Sequence, residues 1–268
     1  MGKLIFLDID GTIAVPGQPP GKDTVAAIRA ARANGHKVFL STGRLESSIP
    51  EQIRSIGFDG GIYSAGGRVV IDGKEILNRS MPVELLQQVT RLMRERNLYF
   101  MLESATGTYA GIDDQPLSYV SGDLIRLLEM ELHTLPRKQM PDHDPVYKIV
   151  SLAESKDQAE QFAQKLSSDA KVVNFGRMAP DMPVISEISD WNIHKGAALD
   201  CICRYLEADP EDCIAFGDSL NDMEILQAAG IGIAMGNAAR RLKELADQVC
   251  ERCDEDGVAK ALARLGLI

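Results

Sequence analysis

The sequence predicts an α/β fold, a Rossmann-like parallel-sheet core interrupted by an inserted α+β domain. Three observations carry this expectation. Short apolar runs alternate with helical spacing over the first 60 residues or so. That rhythm breaks at a hairpin signal, Asp72-Gly73. It returns after about Ile185 and continues to the last residues. The expected division is residues 1–81 with 186–268 as core, and 82–185 as the insertion.

Leu4 to Leu7 is continuously apolar, as in a strand covered on both faces. It runs straight into Asp8 and Asp10, and so reads as a buried strand rather than a signal peptide. Gly21 to Asn34 has helical character and ends at Asn34-Gly35, a helix-stopping pair. Val38 to Leu40 is the next strand, completing a βαβ unit. A helix is expected over Leu45–Ile56, a strand over Gly60–Ala65, and hairpin strands over Arg68–Ile71 and Glu75–Asn78.

In the insertion, Val83–Arg96 and Ser155–Leu166 have helical spacing. Leu98–Leu102, Thr108–Gly111, Tyr147–Leu152 and Lys171–Phe175 read as strands, and Pro136–Pro145 as loop. Beyond it, helices are expected over Lys195–Leu206, Met223–Ala229, Asn237–Ala246 and Val258–Leu265. Strands are expected over Cys213–Phe216 and Ile231–Ala234.

The formal net charge of −10 disfavours a grip on a nucleic-acid backbone, which needs a basic face. No apolar run approaches the roughly 20 residues that cross a bilayer. A cytoplasmic enzyme, monomeric or weakly dimeric, fits this balance. The five cysteines, Cys201, Cys203, Cys213, Cys250 and Cys253, do not form a disulfide framework by count or spacing. Cys250 and Cys253 have metal-like spacing without a second ligand pair, so these thiols read as structural or incidental.

Four clusters carry chemistry. Asp8-Ile9-Asp10-Gly11-Thr12 ends the first strand, and alternation points Asp8 and Asp10 the same way. Two carboxylates so placed repel unless a proton or a hard cation such as Mg²⁺ shares the site. Ser41-Thr42-Gly43-Arg44 follows the second strand. Its hydroxyl and backbone N–H groups suit phosphate oxygens, though a helix N-cap accounts for the pattern as well. Lys195 opens a helix, where a cation could neutralise phosphate; a lone lysine is more often an ordinary surface residue. Gly217-Asp218-Ser219-Leu220-Asn221-Asp222 again places acids and an amide after a buried strand. Asp218 could complete a metal site and Asn221 could bond a phosphate oxygen.

The order of these clusters resembles the haloacid dehalogenase superfamily of phosphatases, specifically its Cof-type members. Their large α+β cap is inserted between the second and third motifs. The resemblance covers essentially the whole chain. It rests on DxDGT at Asp8–Thr12 with GDxxND at Gly217–Asp222, and extends to Ala234–Ala238 and Asp254–Ala259. It implies a Mg²⁺-dependent phosphatase acting on small phosphorylated metabolites. Asp8 would be the nucleophile that becomes phosphorylated, and Asp10 the acid and base. Mg²⁺ would sit between the Asp8 carboxylate, the Asp10 backbone carbonyl and the Asp218 carboxylate, with Asp222 supporting that shell. Thr42, Gly43, Arg44, Lys195 and Asn221 would hold the phosphoryl group. A phosphomutase or phosphotransferase, or a non-catalytic phosphosugar sensor, is the competing expectation. Ala65-Gly66 and Asn192-Ile193-His194-Lys195 depart from the usual pattern of the family, which leaves the substrate open. Glu103, Tyr109, Arg177 and Met178 are candidates for substrate contact in the insertion, and His194 at its border.

Overall fold

A computed structural model of the 268-residue chain describes residues 2–111, 134–177 and 182–268. The chain divides into two compact units, Met1–Asn78 with His194–Ile268, and Arg79–Ile193.

The first unit is built on an eight-stranded sheet. Its strands are β1 (Leu4–Leu7), β2 (Lys37–Ser41), β3 (Gly60–Tyr63), β4 (Arg68–Ile71), β5 (Lys74–Asn78), β11 (Cys213–Gly217), β12 (Ile231–Ala234) and β13 (Gln248–Val249). The order across the sheet is β13-β12-β11-β1-β2-β3-β4-β5. Pairing is parallel from β13 to β3, then antiparallel through β4 and β5. Every residue of β1 is buried, so both faces of the sheet are covered there, as its unbroken apolar run anticipates. Phe6 and Phe39 stack across β1 and β2 with centroids 5.3 Å apart. Helix α1 (Lys22–Ala33) packs against α8 (Gly257–Arg264), and α5 (Lys195–Leu206) against α6 (Met223–Ala228).

The second unit carries a five-stranded antiparallel sheet in the order β7-β6-β8-β10-β9. Its strands are β6 (Tyr99–Ser104), β7 (Thr108–Ala110), β8 (Val146–Ala153), β9 (Lys171–Arg177) and β10 (Val184–Ser189). Helices α3 (Val83–Glu95) and α4 (Lys156–Leu166) bury Val89, Met93, Phe162 and Leu166 against Phe100, Leu102, Ile149 and Ile188. Ser155 accepts a hydrogen bond from Gln158 N and so caps α4.

Three expectations are corrected. The helix over Leu45–Ile56 is instead a 3₁₀ turn (Glu46–Ser48) followed by the short α2 (Glu51–Arg54). Pro50 separates them. It has no N–H to give, and it holds Ile49 extended at ψ 122°. The core resumes at His194 rather than 186, because Val184–Ser189 forms a strand of the second sheet with the alternating burial of an antiparallel element. The helix expected over Asn237–Ala246 begins only at Arg240, as α7 (Arg240–Leu245). Asn237 is drawn into a loop contact, described below.

Candidate active site

The carboxyl ends of β1, β2 and β11 converge on one cluster. Asp8 follows β1, is 6% exposed, and donates its N–H to Phe216 O of β11. The chain then turns sharply, with Ile9 O accepting from the N–H groups of Thr12, Ile13 and Ala14. Gly11 makes this turn at φ +83°, and a Cβ there would lie 2.3 Å from Asp218 Oδ2. Only glycine fits both the conformation and the space.

Lys195 is the first residue of α5 and is completely buried. Its ammonium donates to Asp8 Oδ1 at 2.8 Å and to Asp222 Oδ1 at 2.6 Å. The other oxygen of Asp222 accepts the N–H groups of Asp218 and Ser219, both at 3.1 Å. Both carboxylate oxygens of Asp222 are thereby engaged. His194 caps the helix, its Nδ1 accepting Ala197 N, so its ring is used structurally.

Asp218 is different. Its Oδ1 is buried and has no hydrogen-bond partner, and its carboxylate lies with Asp8 and Asp222 in a cluster whose ligand atoms fall within 4.8 Å of one another. Burial, with the neighbouring carboxylates adding to it and Lys195 opposing, pushes Asp8 up to about 7 and Asp218 up to about 8. Three carboxylates facing one ammonium leave negative charge uncompensated. An orphaned buried carboxylate oxygen in such a place fits a hard divalent cation.

Thr42 and Ser41 are both 1% exposed. Thr42 Oγ1 accepts Arg44 N at 3.1 Å, closing a tight bend through Gly43. Arg44, expected on the phosphoryl group, instead lays its guanidinium on Asp10, with Nε–Oδ2 at 2.7 Å and Nη2–Oδ1 at 2.8 Å. A carboxylate matches the two-pronged geometry of a planar guanidinium. Asn221 lies in the turn after β11, its Oδ1 accepting from Ser219 Oγ at 2.8 Å.

Two supporting features escape a reading of motifs. Ser64, Ala65 and Gly66 adopt consecutive positive φ values of 52°, 56° and 110°. This strained turn gives Ser64 N to Arg44 O and Ala65 N to Thr42 O, and so holds the loop after β2 in place. Asn237 bridges two segments, donating to Gly11 O and accepting from Cys253 N, both at 2.8 Å. The Ala65-Gly66 variation hinted at the first. Nothing short of the fold hints at the second.

In the second unit, Glu103 of β6 lies 3.4 Å from the Lys148 ammonium of β8, and Lys148 also bonds Glu187 of β10. Burial pushes Glu103 up to about 7, against the pull of Lys148. The Tyr109 hydroxyl pairs with Thr106 Oγ1, and Arg177 donates to Met182 O and Glu154 O. Met178 lies outside the described residues.

The chain as a whole has counterparts among known proteins. The sequence pattern of haloacid dehalogenase-like hydrolases matches residues 5–262. The chain belongs to this family. It is a hydrolase of phosphoric monoesters, and its curated relatives run its full length. The phosphatase YwpJ of Bacillus subtilis is 27% identical, over 98% of this chain and 99% of its own. An HMP-PP phosphatase of Yersinia pseudotuberculosis is 29% identical, over 98% of this chain and 94% of its own. Among solved structures, a Bacteroides thetaiotaomicron phosphatase of the same superfamily aligns with TM-score 0.85 and 25% identity, over 100% of this chain and 96% of that one. A subclass IIB sugar phosphatase aligns with TM-score 0.81 at 24% identity, over 99% of this chain and 100% of that one, which speaks for the fold. Among the described residues, no helix is long and apolar enough to cross a membrane.

Proposed function

We infer that this phosphatase hydrolyses small phosphorylated metabolites, sugar phosphates or similar monoesters, with Mg²⁺ and through an aspartyl-phosphate on Asp8. The observation that carries this reading is the buried Lys195 bridge between Asp8 and Asp222 beside an unsatisfied Asp218 oxygen. Lys195 occupies Oδ1 of Asp8, which leaves Oδ2 as the oxygen for attack. A carboxylate nucleophile splits hydrolysis into two easier displacements.

In the first, Asp8 Oδ2 bonds phosphorus, the ester P–O bond breaks, and Asp10 gives a proton to the departing oxygen. In the second, Asp10 takes a proton from water, which attacks phosphorus and releases Asp8 and inorganic phosphate. Asp10 must leave the guanidinium of Arg44 to receive and donate that proton, and an incoming phosphoryl group offers Arg44 an alternative anion. Thr42, with the N–H groups of its loop, Asn221 and Lys195 would hold the equatorial oxygens, where electrostatics dominate the barrier. Asp8, Asp218 and the Asp10 carbonyl would hold Mg²⁺, which supplies charge neutralisation when bound. The inserted unit would act as the substrate-selecting domain of a protein we place in the cytoplasm.

The test is phosphate release from p-nitrophenyl phosphate and a panel of phosphorylated metabolites, with Mg²⁺ and with chelator. Metal-dependent release that disappears in Asp8→Asn, with the fold intact by circular dichroism, is expected. Substantial turnover in that variant removes Asp8 from its role, and transfer of phosphate to a sugar hydroxyl rather than to water makes the enzyme a phosphotransferase.

A further inference from the structure

Among the thiols, two meet. Cys203 Sγ lies 3.3 Å from Cys213 Sγ, although neither belongs to the pair that sequence spacing singles out. Cys250 instead faces Met235 Sδ at 3.4 Å and Glu251 O at 3.3 Å. Cys203 lies in the final turns of α5 and Cys213 opens β11. Both are buried, at 3% and 0% exposure, and both are free thiols.

The surroundings fix this meeting. Cys213 is held in the sheet by parallel pairing with Leu4, and its sulfur also reaches Asp209 O at 3.8 Å. Cys203 O accepts the N–H groups of Glu207 and Ala208 as the helix ends. A disulfide needs an S–S separation of about 2.05 Å. The remaining gap is small, and the short connection between helix and strand, residues 207–209 and the 3₁₀ turn Pro210–Asp212, can absorb the movement. The two sulfurs are in hydrogen-bond contact in which either can donate, so one stands in position to resolve an oxidised form of the other.

We propose that Cys203 and Cys213 form a reversible oxidation site, closed to a disulfide by a small hydroperoxide. The Cys203 thiolate attacks the terminal peroxide oxygen and the O–O bond breaks. The departing alkoxide, or hydroxide, takes the proton that Cys203 released, and Cys203 becomes a sulfenic acid. The Cys213 sulfur then attacks Cys203 sulfur, the S–O bond breaks, and the hydroxide leaves as water with the Cys213 proton. Two thiols and one hydroperoxide thus give one disulfide, one alcohol (or water) and one water. The two electrons pass from sulfur to the peroxide. Burial confines the oxidant to a small molecule, and an external dithiol reverses the step by exchange.

The bond has a defined mechanical setting. Helix α5 begins at Lys195, and β11 ends where Asp218 begins. The disulfide staples the far ends of the two elements that present these groups.

The experiment treats the full-length Cys201→Ser protein with a few equivalents of hydrogen peroxide and maps it without reduction. The variant is needed because Cys201 and Cys203 share the tryptic fragment ending at Arg204, while Cys213 lies in the next, ending at Arg240. The expected result is the loss of two hydrogens in intact mass, the two fragments joined, and full reversal by dithiothreitol. Cys203→Ser and Cys213→Ser should each abolish the joined fragment. Because either could disturb the core, the mapping of Cys201→Ser alone decides the matter. Unlinked fragments, oxygen addition without linkage, or linkage through Cys250 or Cys253 instead overturns the proposal.

Discussion

Arg44 donates Nε and Nη2 to the two carboxylate oxygens of Asp10, at 2.7 and 2.8 Å, across the ends of neighbouring strands. Both side chains keep more than a third of their surface exposed, so the pair contributes orientation more than stability. It parks the group proposed as acid and base beside Asp8.

Removing the fork should therefore damage catalysis rather than folding. Arg44→Ala is expected to lower kcat/KM by about 10–100-fold, with Arg44→Lys intermediate because an ammonium cannot match the bidentate geometry. The loss should be larger for an alkyl phosphate than for p-nitrophenyl phosphate, whose leaving group needs little protonation. Steady-state kinetics on the two substrates separates these effects, and equal losses would place Arg44 on the phosphoryl group alone.

Asp10→Asn removes proton transfer while keeping shape. A fall in kcat of about 10²–10⁴-fold is expected, again steeper for poor leaving groups. Single-turnover measurements should find the phosphorylated Asp8 longer-lived, since the amide cannot activate water.

Lys195→Met should unfold readily. The buried ammonium is shared by two carboxylates, and deleting it strands both, at a cost of about 3–5 kcal/mol. Asp8, raised already by burial, would then fold best protonated. A carboxyl group whose folded pKa is raised contributes stability that is lost as pH rises, so urea titrations should show a deficit that grows from acidic to neutral pH.

Glu103 supplies a second pH signature, in the inserted unit. Its carboxyl is raised from 4.5 to about 7, chiefly by burial. The folded state therefore binds its proton more tightly than the unfolded chain does. This contribution is complete below pH 4.5 and disappears as pH climbs to about 7. Glu103→Gln should flatten the pH dependence of unfolding across that window. An unchanged slope would mean that Lys148 keeps Glu103 ionised.

Gly66 tests the strained turn. It sits at φ +110°, and a Cβ would lie 2.4 Å from His194 O. Gly66→Ala is expected to cost about 2–3 kcal/mol through clash and strain together. Denaturation midpoints check this, and the loop that holds Thr42 should lose activity in parallel.

The acids were legible in the sequence because Asp8, Asp10, Asp218 and Asp222 follow abruptly on apolar strands. The parallel core was legible for the same reason, its strands being buried on both faces. Lys195 carries no such mark. Its burial arises from two carboxylates that are 187 and 27 positions away in the chain. The Arg44 fork is equally non-local, and its sequence context suggested phosphate because a guanidinium suits either anion. The border at His194 was missed because β10 alternates buried and half-buried residues, a weaker signal than an unbroken apolar run. Pro50 should have ended the helix expected across it.

The central position of β1 has a further consequence, for synthesis. One edge of β1 pairs with β2, which follows soon after, but the other pairs with β11, roughly 200 residues later. At about 5–20 residues per second, a ribosome leaves that edge without its partner for about 10–40 s. During that interval the nascent chain carries an apolar strand with bare N–H and C=O groups, flanked by carboxylates that have no lysine to neutralise them. The negative charge at its end disfavours pairing with a wrong neighbour during that interval.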